Sequence, residues 1–277
     1  MRPEAYEQFE RLERGHWWFR GRRRVYLELL REALGSARPQ RLLDLGSGVG
    51  GFLEELEGLG EEVVHSELDP GALACTAERG ARHGVRADAT ALPFEDMSFD
   101  LVCLFDVLEH VRDDGSALRE VLRVLSPGGY ALLSVPAHPW LWSENDRVAE
   151  HERRYTRRGL IERLGASGLV LERCTYANMA LFPAIAPFPV TTEAARRVRL
   201  APRGATNLSL PWPRSLDALC YRLFVGELAL SRRWDLPLGH SLLAIARRKD
   251  LAVTPLAKRA QLARTATVSI DGSLAGS

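Results

Sequence analysis

The sequence predicts an α/β protein built around a doubly wound, mainly parallel β-sheet. From residue 41 onward, short apolar runs alternate with segments of helical periodicity, which is the pattern that parallel βαβ units leave in a sequence. A glycine-rich turn, LLDLGSGVGGF over 42–52, joins the first apolar run to the first helical segment. The 277 residues suffice for one large α/β domain with an insertion or for two small domains.

The first two strand-helix units cover residues 41–80. RLLDL (41–45) is an apolar run closed by glycines, and GFLEELEGLG (51–60) carries apolar residues at helical spacing. EEVVHSEL (61–68) predicts the second strand. The following segment, 69–80, opens with Asp-Pro and ends in Gly, which are start and stop signals of a helix.

The next strands follow the same rhythm. GVRADA (84–89) and FDLVCLFDV (99–107) predict the third and fourth strands. A helical segment over 115–129 contains Pro127 and ends in two glycines, and YALLSVP (130–136) predicts the fifth strand. Thr156 is a candidate N-cap of a helix over 156–168, and the sixth strand is expected at 169–177.

The alternation breaks over 178–239, where seven of the fifteen prolines and two apolar patches lie. It returns at HSLLAIARR (240–248), the expected seventh strand. Residues 249–277 have no aromatic residue and no clear period, so we expect a disordered tail. The predicted organisation is therefore an N-terminal segment over 1–40, a core over 41–177 that the last strand completes, an insertion and a tail.

Composition narrows the class of protein. The formal net charge is +1, so bulk charge does not favour a nucleic-acid partner. The four cysteines form no CxxC pair, and the N-terminal segment is charged throughout. We therefore expect reduced thiols, no signal peptide and a cytoplasmic location. No His, Cys or Asp cluster has the spacing of a metal site, so we expect no metal.

Three acidic residues mark successive strand ends. Asp44, Glu67 and Asp88 lie at the ends of the first, second and third predicted strands, on the edge where ligands bind in such sheets. Glu67 suits ribose hydroxyls and Asp88 an adenine amino group, while Asp44 suits a cationic amino-acid group better than a pyrophosphate. The glycines also fit the G-x-G-x-x-G pattern, which leaves a nicotinamide oxidoreductase open at this point.

The motifs LLDLGSGVGGF, SELDPGAL, ADATALPFEDMSFDLVCLFDVLEHV and LREVLRVLSPGGYALLSVP resemble, in order and spacing, those of class I S-adenosylmethionine-dependent methyltransferases. The resemblance covers roughly residues 41–136. It implies a Rossmann-like sheet of seven strands whose last strand is antiparallel, and S-adenosyl-L-methionine as cofactor. Ser47 stands where many relatives have cysteine.

The resemblance also implies the cofactor contacts. The residues expected at the methionine end are Asp44, Gly46, Ser47, Gly48 and Gly50. Those expected around the adenosine are Glu67, Leu68, Asp88, Ala89 and Phe105.

HWWFRGRRR (16–24) and HERRYTRRGL (151–160) resemble a bacterial subgroup of these enzymes with a helical N-terminal lid and an H-x-R-R-Y segment. Where the subgroup has a histidine shortly before that segment, this sequence has Asn145. The candidate acceptor-binding residues are Trp17, Trp18, Arg20, Arg153, Arg154 and Tyr155. Packing of the aromatic side chains beneath an arginine surface explains the first group equally, and an exposed helix start explains the second.

Two histidines are the candidate catalytic groups. His110 in LEHV follows the fourth strand, and His151 lies in the loop that usually covers the acceptor. Either ring can serve as a base near neutral pH, or can simply shape the pocket.

The insertion bears on the acceptor and on location. Residues 178–239 hold eight arginines and four acids among apolar patches. This composition suits peripheral contact with an anionic membrane, or the wall of a pocket for an amphiphilic, lipid-linked envelope precursor. A plain helical cap on the sheet, with a small soluble natural-product acceptor, remains the alternative. A non-catalytic protein that binds S-adenosylmethionine also stays open, and the sequence does not indicate the oligomeric state.

Overall fold

A computed structural model describes residues 12–187, 191 and 213–249, and it contains one seven-stranded sheet with strand order β3-β2-β1-β4-β5-β7-β6. The strands are β1 (Arg41–Leu45), β2 (Glu62–Glu67), β3 (His83–Arg86), β4 (Phe99–Phe105), β5 (Leu125–Pro136), β6 (Val170–Ala177) and β7 (Ser241–Arg247). β7 runs antiparallel to both β5 and β6, while the other neighbouring strands are parallel. The predicted sheet, with its antiparallel last strand, is therefore confirmed.

Helices cover both faces of this sheet. They are α1 (Trp17–Leu34), α2 (Leu53–Glu57), α3 (Pro70–Glu78), α4 (Asp114–Val124), α5 (Glu144–Ala149), α6 (Arg157–Ser167), α7 (Phe182–Ile185), α8 (Arg214–Gly226) and α9 (Leu228–Ser231). Short 3₁₀ turns lie at Leu108–His110 and Pro139–Leu141. Since nearly every side chain of the central strands is buried, their sequences are continuous apolar runs rather than alternating ones.

Two cores lie on opposite faces of the sheet. Side chains of α4 and α6 pack on one face, and side chains of α1 and α8 pack on the other. Along β4 the alternation separates them, because Val102 and Leu104 belong to the first core and Leu101 and Cys103 to the second. The helices α1 and α8, from the N-terminal segment and the insertion, thus form a layer that packs on the sheet.

The helix starts follow their sequence signals. The Asp69 carboxylate accepts from two N–H groups in the first turn of α3, and the Thr156 hydroxyl accepts from the Gly159 N–H of α6, as N-caps do. One predicted boundary is wrong, since the helix expected over 115–129 ends at Val124 and β5 begins at Leu125. Pro127 disfavours the helical conformation for the residue before it, so the chain becomes extended earlier than the glycines alone suggest.

The helix α1 packs closely against α8 across a long sequence separation. The Trp17 N–H donates to the Asp217 carboxylate at 2.7 Å, and the Trp18 ring stacks on Phe224 with centroids 5.6 Å apart. A Cβ atom at Gly21 would overlap the Phe224 ring, so glycine lets the two helices approach. The sequence 16–24 is therefore the start of an ordinary packed helix.

Among the described residues, no helix is both long enough and apolar enough to cross a bilayer. All four cysteines are free thiols, and Cys103, Cys174 and Cys220 are buried. The first eleven residues, most of the predicted tail, and residues 188–190 and 192–212 of the insertion lie outside the described residues.

Candidate functional site

A cleft of about 1130 Å³ opens at the carboxyl edge of the sheet. One part, here called the glycine half, is lined by the turn after β1 and by the residues that follow β2 and β3. The other part, the histidine half, is lined by Trp18 and Arg22 of α1, by most of residues 105–113 after β4, by residues 145 and 148–152, and by Arg154 and His240. The two halves form one continuous cavity.

The glycine half begins with a turn that side chains would obstruct. Gly46, Gly48 and Gly50 all have positive φ, at 75°, 56° and 84°, a region that favours glycine. A Cβ atom at Gly46 would lie 2.6 Å from Val107, so steric crowding excludes other residues there as well. The buried Ser47 hydroxyl has no hydrogen-bond partner among the described residues, which leaves it available to a ligand.

Glu67 at the end of β2 is fixed by the backbone around it. Its carboxylate accepts N–H groups from Gly48 at 2.9 Å, Leu68 at 2.8 Å and Asp69 at 3.0 Å. A carboxylate has about four lone-pair sites, so acceptor capacity remains for a ligand hydroxyl. Beside it, the Leu68 side chain is 55% exposed and offers apolar surface to a flat ring.

Asp44 lies deeper, at the end of β1. Its carboxylate is buried and sits 2.9 Å from Nδ1 of His65. Burial by itself lowers the pKa of His65, but the hydrogen bond and charge of Asp44, together with Glu57, outweigh it and raise that pKa. The structure thus pairs Asp44 with a buried histidine that the sequence motifs did not suggest.

The third acid lies in a turn, because β3 ends at Arg86. The Asp88 carboxylate is exposed and accepts from the Thr90 N–H and hydroxyl at 2.8 and 2.7 Å. The backbone and then the hydroxyl of Thr90 lower the pKa of Asp88. Asp88 and Ala89 line the glycine half. Phe105 lines the same cleft, and the centroid of its ring lies 3.9 Å from that of the Phe52 ring, stacked on it.

The histidine half brings His110 and His151 together. Their ring centroids are 4.8 Å apart and the rings are nearly perpendicular. Burial, followed by the neighbouring His151 ring, lowers the pKa of His110 to about 4. Near neutral pH the His110 ring is therefore uncharged, with a nitrogen lone pair available.

Asp146 connects two residues of the histidine half, His151 and Arg154. Its buried carboxylate lies 2.9 Å from Nδ1 of His151 and accepts from Nε of Arg154 at 2.7 Å. Burial opposes the charged form, but the bonds from His151 and Arg154 outweigh it and hold the pKa of Asp146 well below its usual range. Arg154 lines the cleft, although this pair engages part of its guanidinium.

Two predicted acceptor residues of the H-x-R-R-Y segment do not line the cleft. Arg153 donates to the carbonyls of Val111 and Arg112 at 2.7 and 2.8 Å. The Tyr155 hydroxyl lies 2.9 Å from the Asp114 carboxylate and 3.1 Å from the Leu108 carbonyl. Both side chains instead hold the 3₁₀ turn that carries His110.

The N-terminal aromatic residues divide in the same way. Trp18 lines the cleft, with its ring edge against His240 at 5.4 Å. Trp17 packs into the core, and the Arg20 guanidinium lies 4.5 Å from the centre of the Tyr221 ring. Neither Trp17 nor Arg20 lines the cleft; both join α1 to α8.

Sequence reasoning missed Glu109 and Asp106 in the histidine half, and it did not single out Arg22 from its run of arginines. Glu109 is fully buried, and neither carboxylate oxygen has a hydrogen-bond partner among the described residues. Arg22 forms a salt bridge with Asp106, which has a positive φ of 57° and accepts from the Ser134 hydroxyl at 3.0 Å. Glu109 stands in the motif LEHV, from which the sequence analysis predicted a role only for His110.

Comparisons with known proteins agree with this architecture. Residues 43–133 match the profile described as a methyltransferase domain. A demethylmenaquinone methyltransferase of Mycolicibacterium vanbaalenii is 32% identical over 181 residues, which cover 65% of this chain and 75% of that protein. Another demethylmenaquinone methyltransferase, of Renibacterium salmoninarum, is 36% identical over 43% of this chain and 51% of that protein.

The matched segments span about half the length of most of these curated relatives. Among solved structures, a geranyl diphosphate methyltransferase in complex with S-adenosylmethionine superposes with a TM-score of 0.54. It is 16% identical, and the superposition covers 81% of this chain and 85% of that chain. This likeness concerns the fold.

Proposed function

This chain belongs to the methyltransferase family, and we propose that it moves a methyl group from S-adenosylmethionine to an amphiphilic acceptor with an anionic part. The observation that carries the proposal is that the glycine half and the paired histidines open into one cleft. A cofactor held at the glycine edge and an acceptor held at the imidazoles would then meet within a single cavity.

The glycine half fits the cofactor chemically. The turn formed by Gly46, Ser47, Gly48 and Gly50, with Asp44 beneath it, would surround the methionine end. Glu67 would accept from the ribose hydroxyls, and Leu68 would cover one adenine face beside Asp88, Ala89 and Phe105. The orphaned hydroxyl of Ser47 and the exposed face of Leu68 both support this assignment.

The bound cofactor would supply an activated sulfonium methyl group. In an in-line transfer the acceptor lone pair bonds to the methyl carbon while the carbon–sulfur bond breaks and leaves its electron pair on sulfur. The acceptor hydroxyl or amine also loses a proton. The chain must therefore align the acceptor, exclude water and receive or release that proton.

His110 and His151 are the groups that we propose for receiving or releasing this proton. His110 is neutral near pH 7 because of its low pKa, and Asp146 fixes the orientation of the His151 ring. Trp18, which lines this half, would help to exclude water from the reacting groups. Arg22 and Arg154 line the same half and would favour an acceptor that carries a carboxylate or phosphate.

The amphiphilic character of the acceptor is inferred from the insertion. On α8 and just beyond it, apolar side chains face outward: Leu216, Leu219, Leu223, Leu230 and Trp234. Arginines at 214, 222 and 233 are exposed around them. Such a surface suits peripheral contact with anionic lipid, and we propose that the acceptor is lipid-linked and met at the inner membrane face.

The names of the relatives add a specific acceptor class. Demethylmenaquinone methyltransferases take their name from a quinone. Its reduced quinol, with hydroxyl groups that can lose a proton and an apolar tail, is an amphiphilic acceptor without a permanent anionic part. Because the matches span about half of most of these relatives, this class is a candidate to be tested. A small soluble natural-product acceptor is the alternative, and it would leave the outward apolar face of α8 as a surface without lipid.

The reaction is tested first by cofactor binding and methyl transfer. Calorimetry should show binding of S-adenosylhomocysteine and none of NAD(H), and labelled S-adenosylmethionine should transfer its methyl group into a lipid extract of the source organism. Binding of NAD(H) alone would contradict the proposal. Binding of S-adenosylhomocysteine with no label in any lipid or soluble fraction would favour a non-catalytic binding protein.

Membrane contact is tested separately by co-sedimentation with vesicles that contain phosphatidylglycerol. Binding should require the anionic lipid and fall with added salt, because exposed charges are screened beyond a Debye length of about 8–10 Å. Leu219→Ser with Leu223→Ser should weaken it, while Met97→Ser, which alters an exposed apolar residue elsewhere, should not. Equal sedimentation of all three proteins would contradict lipid contact through α8.

A further inference from the structure

Three side chains in the histidine half converge as metal ligands do. Glu109, His110 and His151 each offer one donor atom, and the three atoms lie within 4.8 Å of one another. Glu109 and His110 are adjacent in the 3₁₀ turn after β4, whereas His151 follows α5 and is 41 positions away from His110. The long separation explains why the spacing of the sequence led us to expect no metal.

Glu109 is the least explained residue of this group. Its side chain is fully buried at the cleft, and neither carboxylate oxygen has a hydrogen-bond partner among the described residues. Buried carboxylates are normally paired, hydrogen-bonded or bound to a metal. A cation between Glu109 and the two rings would give this carboxylate a partner.

One nitrogen of His151 already has a hydrogen-bond partner, since Nδ1 lies 2.9 Å from the buried Asp146 carboxylate. Metal-bound histidines almost always make such a second bond to a carboxylate or carbonyl, which fixes the tautomer and orients the free nitrogen. This carboxylate–histidine arrangement is in place for His151.

We propose that Glu109, His110 and His151 form a binding site for one divalent transition-metal ion, such as Zn²⁺ or Co²⁺. Two imidazoles and a carboxylate are a ligand set that such ions accept, with positions left open for an incoming oxygen. The open positions would face the cleft and hold an oxygen of the acceptor.

The role of the ion rests on the proposed methyl transfer, although the site itself does not. A hydroxyl that coordinates a divalent ion loses its proton to water more readily. The ion would therefore do the work otherwise assigned to a base, and both imidazoles would serve as its ligands. Acceptors with two adjacent oxygens, such as a catechol or a vicinal diol, would be held best because both oxygens reach the open positions.

Binding requires only a small adjustment. Metal–ligand bonds of about 2.0–2.1 Å in a tetrahedral site place neighbouring ligand atoms roughly 3.3 Å apart, whereas the present atoms lie within 4.8 Å. Rotation of the side chains can close this difference. The cleft is open on this side, so an ion has a path of entry.

The test is a titration of the full-length chain, first stripped with a chelator, with Zn²⁺ by calorimetry and with Co²⁺ by visible absorption. One ion should bind per chain. Glu109→Gln, His110→Ala and His151→Ala should each weaken binding at least about tenfold, and Asp146→Asn about 10- to 100-fold through His151. The matched control His83→Ala removes an exposed histidine of β3 and should leave affinity unchanged.

S-adenosylhomocysteine affinity, measured on the same samples, separates the outcomes. Ligand variants that keep this affinity but lose the ion are folded and support the site. No saturable binding of either ion to the wild-type chain, or equal loss in His83→Ala, would overturn the metal proposal while leaving methyl transfer intact. Metal binding without S-adenosylhomocysteine binding would support the site and contradict the proposed reaction.

Discussion

The glycine half of the cleft is lined largely by backbone, whereas the histidine half is lined by side chains from segments far apart in the chain. The first half comes from residues 44–90, in which each turn directly follows its strand. The second needs α1, the 3₁₀ turn after β4, the loop around α5 and the start of β7. A backbone site tolerates changes around it, while a side-chain site depends on each buried partner.

The largest expected effect is a loss of stability in the variant Asp146→Ala, which changes the histidine half alone. Arg154 would stay buried without its partner, and loss of one member of a buried ion pair costs about 3–5 kcal/mol. Denaturant unfolding should show a fall of that size. Asp96→Ala, which removes the exposed partner of Arg123, should cost less than about 1 kcal/mol. Similar losses in both variants would contradict the distinction between buried and exposed pairs.

The next effect is a dependence of stability on pH, and it concerns Glu227, which joins the end of α8 to the residues after β6. The Glu227 carboxylate accepts N–H groups from Asn178, Met179 and Ala180, yet burial raises the pKa of Glu227 to about 7 from an ordinary value of 4.5. Between these values the folded state keeps a proton that the unfolded state has released. Stability should therefore be complete below pH 4.5 and fall as the pH rises to about 7.

The loss over this window should be about 2–4 kcal/mol, at 1.36 kcal/mol for each pKa unit. The measurement is the free energy of unfolding of wild type minus that of Glu227→Gln, followed from pH 4.5 to 7.5. The difference should slope downward because the glutamine does not titrate. A flat difference would mean that Glu227 keeps an ordinary pKa.

Within the glycine half, Gly46→Ala tests whether the backbone itself forms the site. A residue with a side chain at φ 75° costs about 1–2 kcal/mol, and the new Cβ would also press on Val107. We expect S-adenosylhomocysteine affinity to fall by about 2–3 kcal/mol, measured by calorimetry. Gly165→Ala in α6, where a Cβ meets open space, should instead leave affinity unchanged and stabilise the fold by about 0.5–1 kcal/mol.

The smallest expected change in affinity is that of a substitution at Glu67, a side chain of the glycine half. Glu67→Ala should weaken S-adenosylhomocysteine binding by about 1–3 kcal/mol because a charged acceptor for two hydroxyls is lost. Glu62→Ala, at the exposed start of the same strand, is the matched control. If both variants bind equally well, the ribose is held by another group.

These two halves also differ in how far the sequence predicts them. Asp69 and Thr156 act as N-caps, and the turn at Gly46–Gly50 has the expected positive φ angles, because each depends on neighbours within a few residues. The contact between His110 and His151 depends on how the segments after β4 and after α5 are placed relative to each other in the fold. Local patterns carry no information on that distance, so the convergence of Glu109 with the two imidazoles could not be predicted, although Glu109 itself stands in the LEHV motif.

The direction of individual side chains was the second feature that the sequence did not predict. The aromatic–arginine segment predicted a surface over the cleft, but in an 18-residue helix neighbouring side chains point in different directions. Trp17 therefore faces the core and Trp18 the cleft. Arg153 and Tyr155 were likewise singled out by residue type, while their partners Val111 and Asp114 fixed their orientation.

The bond from the Trp17 amide to Asp217 has a consequence for how the protein is made. These two residues are 200 positions apart, so on a ribosome the helix α1 emerges long before its packing partner exists. Until then its tryptophans and leucines have only part of their native surroundings, and contacts of such long range form slowly. Because β7 emerges after α8, we expect strands β1 to β5 to pair first and α1 to pack against α8 late. The apolar side of α1 would then be a target of chaperones during synthesis.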